Sequence, residues 1–336
     1  MTTIDRAAAL RADVLEEPAS LTRLLDAWER ADGPAAALDA LLDGRRRPPL
    51  LLVGMGSSRF AALTMAARLN AAGGSALVEW ASTPTPAPPD PDRIVIVISA
   101  SGRTPETVAA AERHRGTSPV IAVTERPSSP LAGASDLVLP LLAGPESGGV
   151  ACRTHLATLA TLLLVAGRIG LDGVTSSRLR PAVDALEELI ASTSAWLGPT
   201  ADLLDGAATL QVVGDAGRPG AAEQAALMLR EGPRLPATAW DAGDWAHVGI
   251  YTALPGARIV LLSGTAYDRS IAGAVRSRSA EVVAVGPPVA GAAVVIPVPG
   301  DEDPLVRALV EVTAAELLAA ELWGRAEADP GDPGAA

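Results

Sequence analysis

The chain has 336 residues, of which 49% are hydrophobic, and a formal net charge of −12. This apolar content excludes a disordered chain and is enough to build a sizeable core. The negative charge, with no basic stripe, argues against nucleic acid and anionic membranes as partners, although a local positive pocket can still hold one small anion.

Reactive residue types are few. Cys152 is the only cysteine, which excludes an intramolecular disulfide, and the histidines His114, His155 and His247 are scattered, so no metal site is expected. The sequence contains no lysine, and therefore no lysine Schiff base can form on it. Because there is no signal-peptide core and no apolar run of about eighteen residues, we expect a cytoplasmic protein.

The chain opens with helical patterns. Apolar residues recur at helical spacing over 4–43, which predicts two or three amphipathic helices. Leu50–Val53 then predicts a short buried strand, which ends in Gly54-Met55-Gly56-Ser57-Ser58. A Gly-x-Gly at this place is one part of a dinucleotide-binding fingerprint, but the third glycine is absent, and we expect no cofactor.

The central feature of the sequence is the stretch 93–107. Its five consecutive Ile and Val residues predict a strand buried on both faces, which is typical of a parallel sheet covered by helices. Ligands bind at the carboxyl ends of such strands. The residues that follow the strand include Ser99, Ser101, Gly102 and Thr104. Hydroxyls and amides at a helix start can hold a phosphate, and the alternative is an ordinary Ser/Thr-capped turn without a ligand.

The second half of the chain repeats this order of patterns. Three of its segments, 258–265, 282–286 and 294–300, echo 93–99, 120–124 and 137–144. A long helix rich in leucine and alanine follows the last strand of each half. We therefore expect an internal duplication.

These patterns predict an α/β protein with two tandem, doubly wound, flavodoxin-like parallel sheets. The predicted parts are an N-terminal helical segment (1–47), a first subdomain (48–175), a second subdomain with its leading helix (176–324) and a tail (325–336). The tail is expected to be loose because it is rich in Pro and Gly.

Several motifs stand in the order found in the double sugar isomerase (SIS) domain family. They are Gly56-Ser57-Ser58, the turn 99–104, the loop 146–154, the segment 226–231 and the segment 240–247. Over residues 48–324 the chain resembles this family, and in particular the isomerase half of glutamine:fructose-6-phosphate aminotransferases and the related phosphosugar isomerases and deaminases.

The resemblance implies a phosphorylated sugar or amino sugar bound in the cleft of a homodimer. The residues it places at the phosphate are Ser58, Ser99, Ser101 and Thr104, with Val150 and Cys152 nearby. Ala100 and Arg103 depart from the aminotransferases, which have glutamine and glutamate there. Arg103 either adds a charge-assisted contact to the phosphate or is a solvated residue at a helix start.

The same resemblance gives roles to Glu231 and His247. Glu231 would move a proton between C1 and C2 of the open-chain sugar, since a carboxylate with a raised pKa suits this reaction. By pattern alone it is also an ordinary glutamate at a helix end. His247 would open the sugar ring and would enter the cleft from the partner subunit; the alternative is a histidine that anchors a loop with Trp240 and Trp245.

Two function classes therefore remain. The first is an isomerase, or an isomerising deaminase, of hexose or hexosamine phosphates. The second is a catalytically silent phosphosugar-binding protein with a regulatory role, which the missing lysine and Ala100 favour. Glutamine-dependent amide transfer is not expected, because Met1-Thr2 stands where a glutaminase half would begin with cysteine.

Overall fold

The computed structural model describes residues 5–328, and these divide into two compact units. The first-sheet unit comprises Ala19–Pro145 and Arg153–Arg180. The second-sheet unit comprises the chain up to Pro18, Glu146–Cys152 and the chain from Pro181 onward. The units are not continuous in sequence, whereas the predicted subdomains are; the predicted boundaries stay predictions.

Three helices open the chain, as the apolar spacing predicted. They are α1 (Arg6–Leu15), α2 (Glu17–Glu29) and α3 (Pro34–Leu42). The Asp5 carboxylate accepts a hydrogen bond from the Ala8 N–H at 2.8 Å and thereby caps α1. Leu10 of α1 and Leu38 and Leu42 of α3 are buried, whereas Leu15 at the end of α1 is exposed.

Five parallel strands form the sheet of the first-sheet unit. They are β1 (Leu50–Gly54), β2 (Ala76–Trp80), β3 (Ile94–Ile98), β4 (Val120–Thr124) and β5 (Leu137–Pro140). Their order is β2-β1-β3-β4-β5, which is the doubly wound, flavodoxin-like order that was predicted. The three inner strands are buried along their whole length, because β-branched and leucine runs meet helices on the sheet.

Helices flank this sheet. They are α4 (Gly56–Ala71), α5 (Pro105–His114), α6 (Pro130–Gly133), α7 (Arg153–Arg168) and α8 (Ser176–Leu179). Helix α4 packs on β1 and β2, and α5 packs on β1 and β3. The core between them is built from small aliphatic residues such as Val53, Val97 and Ala110. Helix α4 therefore starts directly behind β1, and α5 starts behind β3.

The second-sheet unit contains another parallel sheet of five strands. They are β6 (Leu210–Gly214), β7 (Ala237–Asp241), β8 (Arg258–Leu262), β9 (Glu281–Val285) and β10 (Val294–Ile296). Their order, β10-β9-β8-β6-β7, is the same as in the first sheet when the strands are counted within their own half. The fold is thus two parallel five-stranded sheets with flanking helices.

The helices of this unit complete the fold. They are α9 (Pro181–Ala191), α10 (Thr193–Leu204), α11 (Pro219–Glu231), α12 (Ala242–Trp245), a 3₁₀ helix (Gly249–Thr252), α13 (Asp268–Arg276), α14 (Pro304–Val310) and α15 (Thr313–Ala328). Helix α11 packs on β6 and β7, and α1 packs on α15. No helix within 5–328 is long and apolar enough to span a membrane.

The predicted tail is helical at its start. Helix α15 continues to Ala328, because Arg325 bonds to Glu321 at 3.1 Å one turn earlier and to Asp202 at 2.7 Å. The remainder of the predicted tail, 329–336, lies outside the described residues.

Candidate functional site

The turn between β3 and α5 gathers three of the predicted phosphate ligands. Ser99 is buried, and its backbone N–H donates to the Val123 carbonyl at 3.1 Å, which fixes the turn to β4. The hydroxyls of Ser99 and Thr104 lie 3.3 Å apart. Ser101 is exposed at the tip of the turn, where its hydroxyl accepts the Arg103 N–H at 3.2 Å. The turn therefore presents hydroxyls at the carboxyl end of a central strand.

Gly102 gives this turn its shape. Its φ is +61°, a left-handed conformation that favours glycine. A Cβ at this position would overlap the Ser129 hydroxyl and come within 2.5 Å of the Ser129 Cβ. Its N–H donates to both the carbonyl (3.0 Å) and the hydroxyl (3.2 Å) of Ser99. The turn thus depends on a residue without a side chain.

Helix α5 begins directly behind this turn. Thr104 occupies its N-cap position and Pro105 its first position, where the fixed φ of proline suits a helix start. Within the described chain, the Thr104 side chain makes no bond that caps the helix. Because the first amides of a helix point outward and carry the positive end of its dipole, this start is suited to an anion. Arg103 is exposed, so both interpretations of its role stay open.

Ser58 lies in the first turn of α4, behind the neighbouring strand β1. The sequence predicted a helix from about residue 60, but α4 starts at Gly56, which has a φ of +50°. A Cβ on Gly54 would lie 3.2 Å from the Ser58 Cβ, so a glycine there allows the helix to start close to the strand. The two glycines thus place Ser58 near the carboxyl end of β1.

His155 fixes the start of α4. It is buried in α7, and its Nδ1 lies 3.2 Å from the Ser57 carbonyl oxygen. Burial lowers the pKa of His155 to about 4, against the opposing effect of this hydrogen bond. The ring is therefore neutral at pH 7 and donates its Nδ1–H to Ser57. This role of His155 could not be predicted from the sequence, because its partner is 98 residues away.

Glu231 is the last residue of α11, in the second-sheet unit. The residue is exposed, yet partial desolvation by the surrounding protein raises the pKa of its carboxyl group, against the opposing charges of Arg230 and Arg234. The helix ends there because Gly232 follows and donates its N–H to the Met228 carbonyl at 3.1 Å. An accessible carboxylate with a raised pKa can accept and return a proton near neutral pH.

His247 is exposed on the loop between α12 and the 3₁₀ helix. The anchor of this loop is Trp245, which is buried and donates its indole N–H to the Gln211 side chain at 2.5 Å. Gln211 in turn donates to the Thr252 hydroxyl at 2.7 Å. The loop is thus held by Trp245 and Gln211, which leaves the imidazole of His247 accessible. Gln211 was not predicted from the sequence.

Val150 and Cys152 lie in the loop Glu146–Cys152, which belongs to the second-sheet unit. Both side chains are buried, so a ligand at this loop would meet backbone atoms and not these side chains. Among residues 5–328 there is no group of three or more His, Cys, Asp or Glu residues that could hold a metal ion. The predicted site residues are thus Ser58, Ser99, Ser101, Arg103 and Thr104 in one unit and Val150, Cys152, Glu231 and His247 in the other.

Part of the chain matches a known protein family. Residues 45–168 match the family model of the SIS domain. Over 291 residues the chain is 30% identical to the isomerizing glutamine–fructose-6-phosphate aminotransferase of Aeropyrum pernix, which covers 82% of this chain and 46% of that protein. The chain thus spans less than half the length of this relative.

Solved structures show the same fold. The C-terminal domain of glucosamine-fructose-6-phosphate aminotransferase from Francisella tularensis superposes with a TM-score of 0.78 at 17% identity, covering 95% of this chain and 96% of that one. Tagatose-6-phosphate ketose/aldose isomerase from Escherichia coli gives a TM-score of 0.77 at 19% identity, covering 95% and 93%. The chain therefore contains a SIS domain, in residues 45–168, within a fold shared with phosphosugar isomerases.

Proposed function

We propose that the protein binds a hexose or hexosamine phosphate and moves a proton between C1 and C2 of the sugar, as an isomerase or an isomerising deaminase. The observation that carries the proposal is the turn between β3 and α5, in which hydroxyls meet an open helix start. The names of the relatives refer to fructose-6-phosphate and tagatose-6-phosphate, which are both hexose phosphates.

The phosphate is assigned to this turn and to the start of α4. Ser99, Ser101 and Thr104 supply hydroxyl donors. Pro105, the first residue of α5, has no N–H, so the amide of Glu106 is the first backbone donor of the helix. Ser58 supplies a further hydroxyl from the first turn of α4. Arg103 is exposed next to Ser101, where its guanidinium can approach a phosphate.

Glu231 is assigned the proton transfer. Its carboxylate removes the proton from C2 of the aldose, or from C1 of the ketose, and returns it to the other carbon through an enediol, or an enediolamine for an amino sugar. For a hexose phosphate a proton also moves between O1 and O2. For a hexosamine phosphate it moves between O1 and the C2 nitrogen, and the deaminase then adds water to the resulting C2 imine and releases ammonia. Neither reaction consumes an oxidant, a reductant or a cofactor. The raised pKa of Glu231 supports this role, because partial desolvation makes the carboxylate a stronger base than an ordinary glutamate.

His247 is assigned the opening of the sugar ring, in which an imidazole exchanges a proton with the ring oxygen. Its exposure supports this role. Three large apolar side chains on the following residues are also exposed: Val248 at 49%, Tyr251 at 77% and Leu254 at 59%. We propose that they are covered in a homodimer, since exposed apolar patches mark protein interfaces. Light scattering at micromolar concentration should give twice the 34.0 kDa of one chain; a monomer that turns over substrate would contradict the dimer.

The second-sheet unit is proposed to be a second SIS domain. Its strand order, identical to that of the first sheet, supports this assignment. The cytoplasmic location and the predicted domain boundaries likewise remain predictions.

The second candidate function is a silent phosphosugar-binding protein. The absence of lysine and the alanine at position 100 favour it, because both depart from the aminotransferase pattern. Such a protein would bind the phosphate at the same turn as the enzyme, but no side chain would act as a base to transfer a proton.

Glu231→Gln separates the two candidates. Glutamine keeps the shape of the side chain but removes the base, so we expect phosphosugar binding to persist while turnover falls by about 10² to 10⁴. The C2 proton of glucose and glucosamine 6-phosphates, and a C1 proton of fructose 6-phosphate, should exchange with solvent deuterium on the wild-type protein and not on the variant. Glu223→Gln, on the same helix, is the matched control and should behave as the wild type. Tight binding without any exchange by the wild type would refute the enzyme.

A further inference from the structure

We propose that Asp13, on the N-terminal helix α1, is a positioning residue of the substrate site, which acts by fixing the backbone of the Glu146–Cys152 loop. This inference rests on the proposed function and on the family resemblance, which implies that Val150 and Cys152 lie near the phosphate. Helix α1 lies outside residues 45–168, so the SIS domain match gives it no role.

The Asp13 carboxylate holds the start of the loop. Asp13 is 4% exposed, and its Oδ2 accepts the backbone N–H groups of both Ser147 and Gly148 at 2.7 Å. Hydrogen bonds to an ionised acceptor are about twice as strong as neutral ones, and burial strengthens them further. Two such bonds converge on one oxygen and fix two successive peptide groups.

Close packing reinforces this contact. A Cβ on Gly148 would lie 2.7 Å from the Cα of Leu10 and 2.8 Å from its backbone nitrogen. The obstacle is backbone, which cannot rotate away, so only glycine allows the loop to lie this close to α1. The loop therefore contacts α1 at Leu10, one helical turn before Asp13.

The other end of the loop is fixed as well. The Cys152 N–H donates to the Glu146 carboxylate at 2.8 Å, which closes the loop on itself. The Gln224 side chain, buried in α11, donates to the Ala151 carbonyl at 2.9 Å. Because α11 ends at Glu231, the helix that carries the proposed base also anchors this loop.

Backbone positioning matters here because the side chains of Val150 and Cys152 are buried. At these two positions the loop can offer a sugar only peptide groups, and peptide groups bind well only when they are held in place. Asp13 supplies that constraint from a helix 134 residues away in sequence.

The test compares Asp13→Ala, Asp13→Asn and the control Asp5→Ala. Asp5 caps the same helix but does not bond to the loop, so Asp5→Ala weakens α1 alone. Hydrogen exchange of the Ser147 and Gly148 amides reports the loop, and calorimetry with fructose, glucose and glucosamine 6-phosphates reports binding. Asp13→Ala should lose protection at both amides and at least about tenfold in affinity. Asp13→Asn, which keeps an acceptor oxygen, should be intermediate, and Asp5→Ala should change neither.

The outcomes separate this inference from the proposed function. A wild-type protein that binds none of the three probes overturns the proposed function and this role with it. A wild type that binds, together with an Asp13→Ala variant of unchanged affinity or unchanged amide protection, overturns the positioning role alone. If Asp13→Ala does not fold, Asp13→Asn gives the same comparison.

Discussion

The turns after β3 and β8 occupy the same place in their sheets but differ in the groups that accept hydrogen bonds from them. Each follows the third strand of its half, and each begins with a buried serine, Ser99 or Ser263. After β8, the Asp268 carboxylate accepts the N–H of Gly264 at 2.6 Å and both the N–H (3.1 Å) and the hydroxyl (2.7 Å) of Thr265. In the turn after β3, within the described residues, no carboxylate takes this place.

Other polar groups at the carboxyl edge of the second sheet also bind to one another. The Ser263 hydroxyl donates to the Pro287 carbonyl at 2.7 Å. Arg307 is buried there, donates to the Ser263 carbonyl and pairs with Glu311, whose other oxygen accepts from Arg218 at 2.8 Å. The same strand order therefore does not give the same arrangement: after β8 the protein's own Asp268 accepts the amides that an anionic ligand would otherwise bind.

The largest effects are expected from alanine at Gly102, in the turn after β3, and at Gly264, in the turn after β8. In Gly102→Ala the new Cβ overlaps the Ser129 side chain, in a left-handed conformation. Overpacking costs about 1 to 3 kcal/mol and the left-handed conformation about 1 kcal/mol more. The displaced turn should also lower phosphosugar affinity about 100-fold, since misplacement by about 1 Å has effects of this size.

Gly264→Ala is the matched control. Its Cβ would meet the end of the Arg307 side chain, so this variant should lose stability as well. Its phosphosugar affinity should match that of the wild type when both proteins are folded. Thermal melts establish that both variants are folded, and calorimetric titration then measures their phosphosugar affinity. Equal losses of affinity in the two variants would contradict the assignment of the ligand to the first sheet.

The turns after β1 and β6 extend the comparison to the pH dependence of stability. The first is held by buried His155, whose pKa is lowered to about 4, and the second by the Asp215 carboxylate, which accepts the Gly217 N–H at 2.6 Å. A lowered histidine pKa means that the unfolded chain binds the proton more tightly. The contribution of neutral His155 to the free energy of unfolding is therefore complete above about pH 6.5 and is lost as the pH falls toward 4. The total loss is on the order of 3 kcal/mol.

His155→Gln should flatten this acid loss of stability, because glutamine can still donate to the Ser57 carbonyl but does not titrate. Urea melts between pH 7 and 4 measure the effect. Some slope should remain, since burial also lowers the pKa of His114. His247→Gln, at an exposed histidine, is the control, and a variant slope equal to that of the wild type would show that His155 is not the group responsible.

Much of the fold could be predicted from local patterns. Runs such as 94–98 indicate strands buried on both faces, and the repeated order of such runs predicted two parallel sheets. The start of α4 at Gly56 was missed, because the apolar period marks the middle of a helix better than its first turn.

The contacts that hold the site could not be predicted in this way. Asp13 and Ser147 are 134 residues apart, and His155 and Ser57 are 98 apart, so no spacing in the sequence connects them. Asp268 is a different case. Thr265 and Asp268 have the Thr-x-x-Asp spacing of a capping box, a local signal for an acidic side chain that accepts the amide three residues earlier, so this contact could have been predicted.

Asp268→Ala should produce the smallest effect and test the comparison most directly. The substitution removes an acceptor for the amides of Gly264 and Thr265, which costs about 1 kcal/mol of stability, as for the loss of a helix cap. It also leaves two amides at the start of α13 facing the exposed Gly264 surface, where an inorganic phosphate can take the place of the carboxylate. Phosphate in the millimolar range should then raise the melting temperature of the variant more than that of the wild type and shift the amide resonances of Gly264 and Thr265. Asp268→Asn keeps an acceptor oxygen and should show no such gain. If phosphate leaves both resonances of Asp268→Ala unmoved, the carboxylate is not what keeps an anion from this edge, and the second sheet lacks a site for some reason other than its own aspartate.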